Sequence, residues 1–123
     1  MQKSTKQQAE TLTVPSERVR GYVQGLRGVS GTLRVDVQGK SVGALVVEDG
    51  TAEFVPGSSE GRATANFQAP ADVRALLRGE VHPVVAALQR RVEIEGDAAL
   101  GARIILGMRT GVTFNAVEES RKE

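Results

Sequence analysis

Residues 73–108 read VRALLRGEVHPVVAALQRRVEIEGDAALGARIILGM, and on this stretch the fold turns. It predicts a short helix ending at Gly79, a second short helix started by Pro83, one strand, and a last helix from Asp97 to Arg109. At about 100° per residue, Leu100, Ala102, Ile104, Ile105, Leu106 and Met108 cover most of the circumference of that last helix. Arg103, Gly101 and Gly107 take the remainder. A helix lying on one sheet needs only a narrower apolar stripe. The second apolar face therefore calls for a cavity, a bound apolar molecule or a partner chain.

Working outward, Pro70 opens the helix whose buried side is Val73, Leu76 and Leu77, and the helix after Pro83 turns Val84, Val85 and Leu88 inward. Val92 and Ile94 alternate with Glu93 and Glu95 as in a strand, and Asp97 is placed to cap the helix that follows. Upstream, Leu33, Val35 and Val37 alternate with Thr32, Arg34 and Asp36, as in a strand with one wet face. Val42 to Val47 is apolar on both alternations and reads as a central strand, bounded by turns at Gln38-Gly39 and Asp49-Gly50. Ala52 to Val55 follows, then the loop Pro56 to Gly61, then Arg62 to Ala69. In that last strand Ala63, Ala65 and Ala69 flank Phe67 on a shallow face that suits a close helix or a ligand.

Before these strands, Pro15 reads as the start of a helix, with Val19, Tyr22, Val23 and Leu26 at the spacing of one buried face, weakened by Gly21 and Gly25 and ended by Gly28. The order is αββββααβα. The expected fold is α+β: a five-stranded, largely antiparallel sheet with helices mainly on one face, enclosing an apolar cavity. Residues 1–14 read as a disordered lead-in, 15–109 as the domain and 110–123 as a solvated tail.

Composition limits the function classes. The 123 residues make one domain, large enough for a real core. Sixteen Lys plus Arg against fifteen Asp plus Glu leave a net charge of +1, no global field for holding nucleic acid or an anionic membrane. Cysteine is absent, which removes disulfides and thiolate chemistry. No apolar run approaches the roughly 20 residues of a bilayer span, and the first residues lack the apolar core of a signal peptide, so a cytoplasmic protein is expected. Tyr22, Phe54, Phe67 and Phe114 are the only aromatic residues, leaving the core to smaller aliphatic side chains.

From about Leu33 to Met108 the chain resembles the sterol carrier protein type-two family of small lipid-transfer domains. The matching pieces are VVEDG at 46–50, ALLRG at 75–79, the helix at Pro83, and IEGD at 94–97 with its apolar helix. It departs in having Ala69 where a Ser or Thr cap is common, and Arg90-Arg91-Val92 in place of a Gly-Lys-Leu segment. Its final residues Arg121, Lys122 and Glu123 also differ from a Ser-Lys-Leu peroxisomal address. The resemblance implies that a fatty acyl, sterol-like or isoprenoid chain is carried in an apolar tunnel. The implied lining is Phe54, Phe67, Leu76, Leu77, Val84, Val85, Leu88, Ile104, Ile105 and Met108, on the elements that enclose the family's cavity.

Catalytic constellations are missing from the pattern. His82, the single histidine, precedes Pro83 and reads as a helix-entrance residue; no GxSxG elbow accompanies Ser30, Ser41, Ser58 or Ser59. Residues 57–61, GSSEG, lack the lysine and helix of a phosphate loop, and Glu93 and Glu95 are the wet side of one strand. Arg90 and Arg91 form a solvated helix end that also suits lipid head groups. The expected protein is thus not an enzyme and needs no cofactor or metal. Its expected partners are a long-chain lipid and, transiently, a membrane surface. The alternative is an accessory scaffold whose last helix meets a lipid-pathway enzyme or a second copy of the chain.

Overall fold

The computed structural model describes residues 14–117. Strands β1 (Val19–Tyr22), β2 (Ser30–Val37), β3 (Lys40–Glu48), β4 (Thr51–Pro56) and β5 (Ala63–Phe67) precede helices α1 (Pro70–Leu77) and α2 (Pro83–Leu88). Strand β6 (Val92–Gly96), helix α3 (Ala98–Met108) and strand β7 (Asn115–Ala116) complete the order. The strands form one sheet in the order β6-β5-β2-β3-β4-β1-β7.

This corrects the expected five-stranded sheet. The five strands foreseen are β2 to β6, and β2 pairs with β5 in parallel while the other pairings are antiparallel. The two additional strands come from segments read differently. Val19–Tyr22, expected to be helical, is a strand on β4, and only Gln24–Leu26 winds into a single 3₁₀ turn. Two glycines weaken a helix there, and Val19, Tyr22 and Val23 favour extended backbone. The free edge of β4 decides the outcome by supplying a ladder for them. Gly21 is required, because a Cβ on it would lie 2.6 Å from the carbonyl oxygen of Thr113. Asn115–Ala116, within the segment read as a tail, pairs with β1 in turn. The expected disordered lead-in, apart from Val14, lies outside the described residues.

The β2–β3 and β3–β4 turns have the backbone that their letters announce. Gln38 and Gly39 have φ of 52° and 82°, and Asp49 and Gly50 have 45° and 95°. Two consecutive positive angles are the signature of the tight turn that matches strand twist. β3, apolar on both alternations, occupies the middle of the sheet. A bulge between Val35 and Asp36 shifts the β2–β3 register.

Alternation then divides the sheet into two unlike faces. Leu33, Val35, Leu45, Val47, Phe54, Ala63, Ala65 and Phe67 lie on the face beneath the helices and are buried. The opposite face carries Arg20, Glu53, Arg34, Asp36, Thr64 and Glu95. Asp36, 6% exposed, is the one charged residue buried among the described residues, and its carboxylate accepts from Arg34 Nε at 2.8 Å.

Helix α3 is started by Asp97, whose Oδ1 accepts from the Leu100 amide at 3.1 Å, while Oδ2 meets Arg62 at 3.0 Å. An Asp97→Ala change is expected to cost about 1 kcal/mol, the usual worth of such a cap. Arg62→Ala, removing an exposed ion pair, should cost less than about 0.5 kcal/mol. Chemical denaturation of the two variants distinguishes these, and equal losses would contradict the capping role.

Candidate functional site

The apolar interior lies between the sheet and the helices. α3 reaches it at short range because Gly101 faces the alanines of β5. A Cβ on Gly101 would be 2.7 Å from Ile94 Cγ2 and 3.4 Å from Ala63 Cβ. The shallow face foreseen on β5 is thus occupied by a helix. At the other end of α3, Gly107 sits against Leu26 and the Gly25 carbonyl, and Met108 approaches Gly79 at the end of α1. The second apolar face of α3 is therefore met by the 3₁₀ turn and by α1 and α2, all from the same chain.

Seven of the ten residues expected to line a tunnel converge in this interior. Phe54, Phe67, Leu76, Leu77, Ile104, Ile105 and Met108 are all buried in one cluster. Leu26, Leu33 and Leu45 belong to the same cluster and are fully buried. They were missing from the expected set, although the alternation of β2 and the apolarity of β3 marked Leu33 and Leu45.

The remaining three are not brought there. Val84, Val85 and Leu88 are 60, 46 and 78% exposed, so α2 faces opposite to the expectation. Its ends explain this. Val81 and Val92, before and after α2, are both buried, and between them α2 has six residues. Pro83 and Ala86, three apart on one side, fit the narrow space against the core that bulkier valines would not.

Polar groups around the interior have structural employment. His82 Nδ1 accepts from the Val84 amide at 3.2 Å, capping α2. Ser41 Oγ donates to the Ser58 carbonyl at 3.1 Å, and Ser58 Oγ accepts from the Glu60 amide at 3.3 Å, closing the β4–β5 connection. Ala69 caps α1 without a side-chain bond, with Pro70 at the first turn. No cluster of His, Asp or Glu suited to a metal ion occurs among the described residues. Nor is any helix among them long and apolar enough to cross a membrane.

Among the described residues, clefts open at the surface in at least two places. One, of about 480 Å³, is lined by Asn66, Gln68, Ala87, Arg90, Val92 and Glu93, at the corner where α2 meets the β5–β6 edge. Val92 connects it to the core cluster. Another, of about 560 Å³, lies on the polar sheet face between Arg20, Val46, Glu48, Asp49, Thr51 and Glu53.

The model of one protein family, described as the SCP-2 sterol transfer family, matches residues 17–105. Among solved structures, a ubiquinone synthesis protein, UbiJ-SCP2, superposes with a TM-score of 0.52 at 20% identity, over 71% of this chain and 76% of that one. The sterol carrier protein domain 2 of Helicoverpa armigera gives 0.44 at 21% identity, over 67% and 69%. A sterol carrier protein 2 gives 0.45 at 17% identity, over 83% and 90%. No curated protein matches the chain.

Proposed function

The chain belongs to the SCP-2 sterol transfer family, and from that premise we propose that it binds and carries a long-chain hydrophobic lipid without catalysing a reaction. The observation that carries this reading is the character of the interior beneath the helices. The side chains packed there are aliphatic and aromatic, from Phe54 and Phe67 on the sheet to Leu76, Leu77, Ile104, Ile105 and Met108 on the helices. Such surroundings suit a chain held by burial alone. Each methylene removed from water contributes about 0.8 kcal/mol, so affinity needs no charged group along the tail.

The interior opens by displacement of α2. That helix commits only Pro83 and Ala86 to the core. Left-handed backbone stands on either side of it, at Gly79 with φ of 76° and at Arg90 with φ of 60°. Moving α2 outward frees the helical side of the cluster while the sheet stays paired. The cleft beside α2 then receives the polar end of the lipid, with Arg90, Gln68 and Asn66 as its donors.

Thermal denaturation of delipidated protein tests the reading. A ligand at about 100 times its dissociation constant adds about 2.7 kcal/mol, which in a domain of this size raises Tm by about 10 °C. Fatty acids, sterols and isoprenoid quinones are the series to try; no shift with any of them overturns the carrier function. The name of UbiJ-SCP2 favours a second reading, an accessory subunit of a quinone-synthesis enzyme. Native mass spectrometry separates the two, since co-purifying lipid favours the carrier and a stable lipid-free hetero-complex the subunit.

A further inference from the structure

Strand β6 forms one edge of the sheet, with no strand on its outer side. Its register with β5 fixes which backbone groups face outward. The Gln68 amide donates to the Arg91 carbonyl, and the Asp97 amide to the Arg62 carbonyl. Alternation from those two bonds turns the backbone groups of Glu93 and Glu95 toward β5, and leaves those of Val92, Ile94 and Gly96 pointing away from the sheet. None of these outward groups has a hydrogen-bond partner among the described residues. At the opposite edge β7 has two residues, Asn115 and Ala116, so β6 is the longer open ladder.

An open ladder is a template for a further strand. The side chains of β6 select which strand fits. Glu93 and Glu95 are both exposed on the polar face of the sheet. They stand opposite the uncharged Asn66 and Thr64, and neither enters an ion pair among the described residues. The arginines at the two ends of the strand are engaged elsewhere, Arg62 by Asp97 at 3.0 Å and Arg91 by Asp72 at 3.3 Å. On the other face Val92 is buried and Ile94 partly so. The edge thus presents two uncompensated carboxylates, two residues apart, with an apolar residue between them facing the opposite way. A second copy of the chain does not suit it. Two-fold pairing centred on Ile94 sets Glu93 opposite Glu95 twice, like charge against like.

We propose that β6 receives an extended segment of another protein as an added antiparallel strand, one that carries two basic residues at alternate positions between apolar ones. Main-chain bonds to Val92, Ile94 and Gly96 supply the attachment, as in other cases of strand addition. The basic side chains lie opposite Glu93 and Glu95, and the apolar ones opposite Ile94 and its outward-bonded neighbours. Glu93 and Glu95 then occupy the non-hydrogen-bonded pairs, where cross-strand side chains approach most closely. This inference goes beyond lipid carriage and does not rest on it, since the edge is the same whether the interior is filled or empty.

The probe is the capped peptide acetyl-Thr-Val-Lys-Val-Lys-Val-Thr-amide, titrated into the full-length protein and followed by amide NMR. The Val92 and Ile94 amides are expected to shift and to gain protection from exchange, while those of Glu93 and Glu95, already turned to β5, change little. Binding should weaken as salt is raised. Glu93→Lys with Glu95→Lys should lower affinity for this peptide about tenfold or more, and raise it for the peptide with Glu in place of Lys. Glu48→Lys with Glu80→Lys, exposed positions off this edge, makes the same change in net charge and should leave affinity within about twofold. N-methylation of the peptide's valines, whose amides face β6, should abolish binding. N-methylation of its lysines, whose amides face water, should not.

Melting curves of both charge variants confirm an intact fold. Absence of binding at about 1 mM peptide overturns the proposal, since Glu93 and Glu95 then only guard the edge against pairing. Equal binding of the two methylated peptides overturns it as well, because charge alone would account for the contact. So does protection of the Val92 and Ile94 amides before any peptide is added, which would assign the edge to a second copy or to the chain's own ends.

Discussion

Ile104→Glu is expected to abolish cooperative folding near neutral pH. Ile104 is fully buried in the core cluster, in the middle of α3. A carboxylate there stays protonated at neutral pH only if its pKa rises from about 4.3 to beyond 7, a penalty of about 4 kcal/mol. Lost burial of the isoleucine adds about 1–2 kcal/mol. The sum is about 5 kcal/mol, comparable with the whole stability of many domains. Because the introduced group's folded pKa lies above its unfolded one, the deficit grows as pH rises through that window and shrinks toward acid.

Urea denaturation followed by circular dichroism should therefore find no transition near neutrality and a partial one as the carboxylate range is approached. Leu106→Glu, two positions along on the exposed side of the helix, should change stability by less than about 0.5 kcal/mol. A stable Ile104→Glu protein at neutral pH would mean that position 104 reaches water, contrary to the core described above. Loss of lipid binding in the Ile104→Glu variant follows from its unfolding.

Gly79→Ala, in the turn after α1, is expected to destabilise the fold strongly. Gly79 has φ of 76°, which an alanine adopts at a cost of about 1–2 kcal/mol. Its Cβ would also meet the carbonyl oxygen of Met108 and lie 3.3 Å from Arg109 Cα. These are backbone atoms, so the end of α3 must move. A total loss of about 3 kcal/mol or more is expected. Gly39→Ala is the control, with φ of 82° and nothing within 4 Å of the added Cβ. It carries the same conformational cost without the collision, about 1–2 kcal/mol. Equal losses in the two variants, measured by chemical denaturation, would show that α1 and α3 do not approach as closely as the structure has them.

Much of this molecule was legible from local letters. Gln38-Gly39 and Asp49-Gly50 specify their turns because consecutive left-handed residues leave few alternatives. Asp97 caps α3, and β3 lies at the sheet centre, because a short polar side chain before an apolar run and a strand apolar on both sides have few other uses. Those features need only neighbours within a few residues, or burial on both faces.

What sequence alone determined was therefore the element order from β2 to α3, the family, and seven buried residues of the expected lining. Tertiary structure decided three other things. It made Val19–Tyr22 a strand, since an open edge on β4 outweighs the weak helical preference of a segment with two glycines. It turned Val84, Val85 and Leu88 outward, since a six-residue helix tied to the core by Val81 and Val92 must present its slimmer side. It also supplied the cover for the second face of α3, through Leu26, Gly25 and Gly79. Periodicity states how much of a helix is apolar; which surfaces approach it depends on contacts across dozens of residues, where steric fit and edge pairing outweigh local preference.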